Sequence, residues 1–166
     1  MKIITDKSFL HTGCREVNMG DKVLCRLLEE KLLETFEEKE HRLQGISAIQ
    51  IGFPENACLI RNRFFKSKAS VLFNLKIISK SGSKVKDEGC LSEPGVRVNV
   101  ARPTKCIVAY DTIDGEHHVK TIRYPLTRVY CHEADHMKGI LLQDIGTVNA
   151  KQTEVYRKYN ELKRRK

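Results

Sequence analysis

Near residue 132 the chain carries two histidines separated by one helical turn. The stretch is CHEADHMKG, residues 131–139. Positions i and i+4 lie on one face of a helix, so the imidazoles of His132 and His136 can reach one metal ion. Glu133, directly after the first histidine, is placed to take a proton from water at the open position of such an ion. The pattern predicts a catalytic metal site, and the alternative is an exposed helix with two unrelated histidines.

Two histidines are too few to hold a catalytic metal ion tightly, so a third ligand is needed. One group of metalloproteases has a histidine six residues after the second, but that position here is Leu142, and no histidine follows His136. Glu154 and Glu161 lie downstream in a basic tail and are weak candidates. The third ligand is therefore expected upstream.

The segment DEGCLSEPGVRV, residues 87–98, offers a thiol in a turn-rich stretch. Gly89 permits a close approach of the backbone, and Cys90 follows it. Alone, Cys90 would be interpreted as a buried thiol. A metal ion removes the thiol proton outright, so together with the histidine pair Cys90 is predicted to be the third ligand.

Two helices are predicted to flank a β-rich middle of the chain. Residues 21–41 begin with Asp21, a plausible N-cap, and the apolar residues recur at helical spacing. Those residues are Leu24, Leu27, Leu28, Leu32 and Phe36. The second predicted helix spans residues 125–138, where Pro125 suits the first turn and Gly139 suits the end.

The middle of the chain is a series of short runs rich in β-branched residues. These runs are residues 57–61, 71–79, 96–100, 105–111 and 117–124. Asp114-Gly115 predicts a hairpin turn between the last two. Residues 149–164 resemble a final, strongly basic helix. We therefore expect an α+β fold in which antiparallel or mixed sheets pack around the central helix that carries the histidine pair.

Composition bounds the classes of protein to consider. At 166 residues the chain is expected to form one domain, residues 1–166, ending in a basic helix or tail over residues 149–166. The net charge of +9 favours acidic partners, including nucleic acid. No apolar run is long enough to span a bilayer, and Asp6 and Lys7 interrupt any signal-peptide core. We expect a cytoplasmic protein whose six cysteines are reduced, mostly as small buried residues.

The chain resembles the peptide deformylases in three motifs that occur in the same order. The HExDH motif is present as HEADH, residues 132–136, and EGCLS is present unchanged at residues 88–92. A glycine-rich motif, roughly GxGLAAxQxG, corresponds to LQGISAIQIG, residues 43–52. The resemblance runs from about residue 20 to residue 146. It implies removal of the formyl group from the N-terminal formyl-methionine of nascent chains, with release of formate.

The resemblance also implies roles for residues around the metal ion. It assigns the oxyanion donors to the side-chain amide of Gln50 and the backbone N–H of Leu91, which are groups suited to that task. It suggests that Glu88 and Arg102 pair and hold the loop that contains Cys90, which is called the ligand loop below. The working metal is implied to be one Fe²⁺ per chain, with Zn²⁺, Ni²⁺ or Co²⁺ able to substitute.

Substrate contacts are implied at four positions, Gly45, Gly89, Arg97 and Val129. Arg97 resembles a family position at the rim of the peptide groove. Val129 lies one turn before His132, where it could face the same cleft. Arg128 beside it departs from an apolar methionine pocket, unless its side chain snorkels outward.

The glycine-rich motif departs from the family pattern at two positions. Ser47 replaces a small residue with little change in volume. Leu43 replaces a glycine, which matters if that backbone needs positive φ or a close approach to the substrate.

Other functions remain as alternatives. One is an HExxH metallopeptidase that cuts internal peptide bonds, and another is a deformylase-like protein with weak or lost activity through Leu43. A structural zinc or nucleic-acid-binding module would need a fourth ligand, which is not apparent.

The expected substrates are N-formyl-methionyl peptides. The basic tail has seven Lys or Arg against two Glu and suggests ribosome contact or only a solvated helix face. A monomer is expected.

Overall fold

A computed structural model describes residues 1–39, 43–61 and 69–164 of the chain. In these ranges the helices are α1 Lys7–Leu10, α2 Lys22–Lys39, α3 Leu126–Met137, α4 Leu142–Ile145 and α5 Ala150–Arg164. The strands are β1 Gly45–Ser47, β2 Ala57–Ile60, β3 Ser70–Ser81, β4 Lys84–Glu88, β5 Val98–Arg102, β6 Lys105–Asp111, β7 His117–Arg123 and β8 Thr147–Val148. A short 3₁₀ helix, Ala48–Ile51, directly follows β1.

The strands form two antiparallel sheets. The larger has the order β1-β2-β3-β6-β7, and the smaller has the order β4-β5-β8. β6 and β7 form the hairpin that Asp114-Gly115 predicted, and Gly115 has a φ of 88°. The α+β class with antiparallel sheets is confirmed.

Helix α2 begins where its cap was predicted. The Asp21 carboxylate accepts a hydrogen bond from the backbone N–H of Leu24 at 3.0 Å, which satisfies one of the free donors of the first turn. Leu28, Leu32 and Phe36 are buried in a core shared with β1 and β2. Leu27 was expected on this face but is 38% exposed, because a step of one residue turns its side chain away from Leu28. The predicted end at residues 40–41 lies outside the described residues.

Helix α3 contacts strands of both sheets and carries the histidine pair. It begins after Pro125 and ends before Gly139, whose φ of 69° suits a helix stop. Its buried residues include Val129, Glu133 and His136. One helix therefore carries buried side chains and contacts both sheets.

Helix α5 continues the fold beyond β8. The Asn149 side chain accepts from the N–H of Gln152 at 3.1 Å. Thr153 is buried, and its hydroxyl accepts from the backbone N–H of Arg97 at 3.0 Å. The helix is therefore packed onto the strand that follows the ligand loop. No helix in the described part of the chain is long and apolar enough to cross a membrane.

The predicted strand at 96–100 begins two residues later, at Val98, because Val96 and Arg97 belong to the ligand loop. Three strands, β1, β4 and β8, were not predicted. All six cysteines are free thiols, and Cys25, Cys58, Cys106 and Cys131 are buried, as expected. Burial raises the pKa of the half-buried Cys14 to about 12.

Candidate active site

The side chains of Cys90, His132 and His136 converge at one point. Their ligand atoms all lie within 4.8 Å of one another. The Cys90 Sγ is 3.3 Å from the Nε2 of His136, and the two imidazole rings are 5.0 Å apart with planes at 78°. The histidines come from α3, and Cys90 comes from the loop after β4. The loop and the helix therefore bring together the three predicted ligands.

This donor set fits a metal ion. One thiolate and two imidazoles suit a tetrahedral site that keeps a fourth position open. Glu88 accepts from Nδ1 of His132 at 3.3 Å, which leaves the Nε2 of that ring for the ion. Such an orienting carboxylate behind a ligand histidine is typical of metal sites.

Behind the ligands, buried charges form a connected network. Arg102 pairs with Glu88, with the Nη2 atom 3.0 Å from Oε2, and also with Asp135. Burial alone would raise the pKa of Glu88, but hydrogen bonds from His132 and Arg102 lower it to about 2, so the carboxylate stays ionised. Glu88 and Arg102 thus form a buried ion pair, and Asp135 belongs to the same network.

Glu133 is fully buried beside the ligands. Its Oε2 accepts from the hydroxyl of Ser47 at 2.9 Å. Burial raises its pKa to about 7, so the carboxyl can both take and return a proton near neutral pH. A Cβ at Gly45 would lie 2.5 Å from the Oε1 of Glu133. The missing side chain at Gly45 therefore leaves the space that the carboxylate occupies.

Gln50 lies in the 3₁₀ helix with its amide directed at the ligand loop. Its Nε2 donates to the Cys90 Sγ at 3.2 Å and to the Ser92 hydroxyl at 3.1 Å. Its Oε1 accepts from the backbone N–H of Ser47 at 3.0 Å. The side chain is 3% exposed, so these bonds satisfy an amide that would otherwise be costly to bury. Gln50 is thus an amide donor next to the predicted metal position.

A cavity of about 340 Å³ opens beside the ligands. Gly45, Gln50, Gly89, Leu91 and Arg97 all line it. A Cβ at position 89 would lie 2.5 Å from the Nη1 of Arg97, so the absence of a side chain at Gly89 leaves room for that guanidinium.

Arg97 joins the cavity rim to α5. Its guanidinium pairs with Asp87 and lies 5.8 Å from the ring centroid of Tyr156. Its backbone N–H donates to Thr153. The orientation of Arg97 thus depends on α5. The sequence analysis did not predict this dependence.

Val129 and Arg128 line the same cavity, one turn before His132. Val129 is buried. Arg128 does not snorkel outward, because its Nη2 donates to the Asp87 carbonyl at 2.6 Å and its Nε is 3.3 Å from Glu88. The cavity wall is polar at the position where an apolar side chain was expected.

Leu43 fits without strain. It is buried in the core beside α2, and it is not among the residues with positive φ. Glycine is therefore not needed there for the backbone conformation, whereas the effect of Leu43 on the approach of the substrate stays a prediction, since its side chain lines the cavity. Ser47 matters more than its volume suggested, because its hydroxyl contacts both Glu133 and Gln50. The signal in the sequence for this role of Ser47 was a hydroxyl at a position where the family pattern has alanine.

Comparisons with known proteins agree with this geometry. A family model described as polypeptide deformylase matches residues 1–152. A peptide deformylase of Finegoldia magna is 34% identical over 92% of this chain and 91% of its own length. Peptide deformylase 2 of Clostridium acetobutylicum is 31% identical over 87% of this chain and 93% of its own.

Solved structures show the same fold. A peptide deformylase from Legionella pneumophila superposes with a TM-score of 0.79 at 27% identity, covering 100% of this chain and 98% of that one. A probable peptide deformylase from synechococcus phage S-SSM7 gives 0.78 at 29% identity, covering 87% and 99%.

Proposed function

Because this chain belongs to the peptide deformylase family and is a metal-dependent hydrolase that removes the N-terminal formyl group, we propose that Cys90, His132 and His136 hold its metal ion. The convergence of their ligand atoms within 4.8 Å carries this proposal. We further infer that the working ion is one Fe²⁺ per chain and that Zn²⁺, Ni²⁺ or Co²⁺ can substitute, since affinity alone does not select iron at such a site. When bound, the ion supplies a Lewis acid for the formyl carbonyl and for water.

Helix α3 is the element on which the chemistry depends. It contacts strands of both sheets. His132, Glu133 and His136 are therefore fixed relative to one another by one backbone and by packing on two sides. A site on a packed helix holds its geometry better than one on a loop.

Glu133 is the proton carrier of the proposed mechanism. It accepts a proton from water as the water oxygen bonds to the formyl carbon, and it returns a proton to the amide nitrogen as the C–N bond breaks. Formate and the free amine leave. Burial and the Ser47 hydroxyl keep the carboxylate at one place throughout.

Gln50 and Leu91 are the proposed donors to the oxyanion that develops on the formyl oxygen. The Gln50 amide lies 3.2 Å from the ligand sulfur, and Leu91 follows the ligand in the chain and lines the cavity. Both hydrogens of the Gln50 amide are engaged by Cys90 and Ser92. The amide must therefore share or exchange one of these bonds when the oxyanion forms.

The peptide is proposed to lie along the cavity past Gly45, Gly89, Arg97 and Val129. Because positions 45 and 89 are glycines, the backbone can lie close to the side chains of Glu133 and Arg97, respectively. Val129 supplies an apolar wall. In this proposal the formyl group lies beside the ligands, and the first side chain lies near α3.

We propose that residues 1–166 form one cytoplasmic, monomeric domain and that α5 assists encounter with ribosomes. The packing of Thr153 and Tyr156 on Arg97 supports one domain. Because of that packing, removing the helix would disturb the cavity rim. The test is therefore to replace the exposed Lys151 and Lys158 by glutamine and to measure ribosome co-sedimentation, which should fall while turnover of a short peptide stays the same.

The direct test of the activity uses protein loaded anaerobically with Fe²⁺. Formate release from formyl-Met-Ala-Ser is expected, and casein should stay intact because internal peptide bonds are not substrates. Cleavage of casein without formate release would favour the metallopeptidase alternative.

A further inference from the structure

Arg128 places a guanidinium in the wall of the substrate cavity. It stands on α3 four residues before His132, and its side chain is 28% exposed. The Nη2 atom donates to the Asp87 carbonyl at 2.6 Å, and Nε is 3.3 Å from the Oε1 of Glu88. These two contacts hold the guanidinium in the lining of the cavity.

The remaining nitrogen of Arg128 is open. Among the residues that the structure describes, none accepts a hydrogen bond from its Nη1. Gln44 adds a second amide to the same lining. Apolar surface comes from Val129, Ile46 and Leu43. The cavity therefore combines an apolar wall with hydrogen-bond donors.

The first residue of the substrate must contact this wall. Its Cα is bonded to the formamide nitrogen, so its side chain enters the cavity next to His132 and Glu133. A thioether sulfur is only a weak acceptor, whereas a sulfoxide or amide oxygen is a strong one. A carboxylate is disfavoured, because Glu88 and Glu133 line the same cavity.

On the basis of the proposed function, we propose that Arg128 determines specificity for the first side chain. It allows the cavity to take a side chain of methionine length that ends in a neutral acceptor oxygen, as in methionine sulfoxide or glutamine. The methylene stem packs on Val129, and the oxygen accepts from Arg128. The enzyme thereby deformylates chains whose first methionine has been oxidised.

The test compares formylated tripeptides that differ only in the first residue: methionine, norleucine, methionine sulfoxide, glutamine and glutamate, each followed by Ala-Ser. We expect kcat/KM for the sulfoxide and glutamine peptides to exceed that for norleucine by about tenfold or more, the effect of one hydrogen bond to a charged group. The glutamate peptide should be the poorest. In Arg128→Leu the order of norleucine and sulfoxide should reverse.

Two further variants serve as controls. Arg26→Leu makes the same change at an exposed position of α2 and should leave the order of substrates unchanged. Arg128→Lys keeps a charge but loses the planar guanidinium and should keep part of the preference. If Arg128→Leu does not fold, the order of kcat/KM values in the wild type and in Arg128→Lys still tests the proposal.

Binding separates this proposal from the proposed function. The affinities of the unformylated sulfoxide and norleucine peptides, measured by calorimetry, should show the same preference without turnover. Absence of formate release from every peptide would overturn the proposed function. The ratio of the sulfoxide and norleucine affinities would then still test the role of Arg128. A wild-type protein that binds and deformylates norleucine at least as well as the sulfoxide would overturn the role of Arg128.

Discussion

The hydroxyl of Ser47 donates a hydrogen bond to the carboxylate of Glu133, with the two oxygens 2.9 Å apart and both side chains buried. The same hydroxyl is 3.2 Å from the Oε1 of Gln50, but it has one proton to give. Gln50 instead accepts from the Ser47 backbone N–H. One residue at the end of β1 thus positions both the proposed proton carrier and the proposed oxyanion donor.

Ser47→Ala should lower kcat by up to about tenfold with little change in KM, because a hydrogen bond to a buried charged group is lost while the cavity is unchanged. Steady-state kinetics of formate release test this, with the exposed Ser79→Ala as control. A variant in which KM rises and kcat does not fall would place Ser47 in substrate binding instead.

Gly45→Ala should be more damaging. The new Cβ would lie 2.5 Å from the Oε1 of Glu133 and 3.0 Å from the Cγ1 of Val129. The carboxylate must move, and small displacements of a catalytic group typically cost about a hundredfold in rate. Metal content should be unaffected. Wild-type turnover in this variant would show that Glu133 does not need its present position; Gly20→Ala, on the surface, is the matched control.

Glu88→Ala should weaken metal binding by about ten- to a hundredfold, because His132 loses its orienting carboxylate. It should also lower the free energy of unfolding of the metal-free protein by about 1.5–3 kcal/mol, since Arg102 loses its bonds to Glu88 but keeps Asp135 as a partner. Chelator competition and urea denaturation measure the two effects. The exposed pair Glu154–Lys158 provides the comparison, and Glu154→Ala should leave the free energy of unfolding almost unchanged.

The iron-loaded enzyme should lose activity in air, while Ni²⁺- and Co²⁺-loaded forms keep it. Dioxygen oxidises Fe²⁺ and then the adjacent Cys90 thiolate, and the sulfinic and sulfonic products are not ordinarily reduced again. A time course of formate release for the three forms, with mass spectrometry of the Cys90 peptide, checks this prediction. Iron-loaded protein that stays active in air with an unmodified Cys90 would contradict it.

Much of the fold and of the proposed ligand set could be predicted from local sequence patterns. The spacing of His132 and His136 requires only a helix, and the caps of α2 and α3 are encoded within a few residues of Asp21 and Gly139. The proposed third ligand followed from chemistry, since Cys90 was the suitable donor near a glycine turn. These inferences need no knowledge of which distant elements meet.

Contacts between distant elements could not be predicted. Ser47 and Glu133 are 86 residues apart, and their hydrogen bond depends on how β1 packs on α3. The contact of Thr153 with Arg97 likewise requires the docking of α5. β8, with two residues, is too short to show an alternating pattern and exists through its pairing with β5. The burial of Leu43 beside α2 is a further contact of this kind.

The most direct test of the account measures metal content and formate release side by side in wild type, Glu133→Ala and Cys90→Ala. Glu133→Ala should retain one ion per chain and lose nearly all turnover, because its ligands are intact while the proton carrier is gone. Cys90→Ala should lose the ion as well as the activity. Wild-type formate release from Glu133→Ala, or iron binding by Cys90→Ala as strong as that of wild type, would contradict the proposed site.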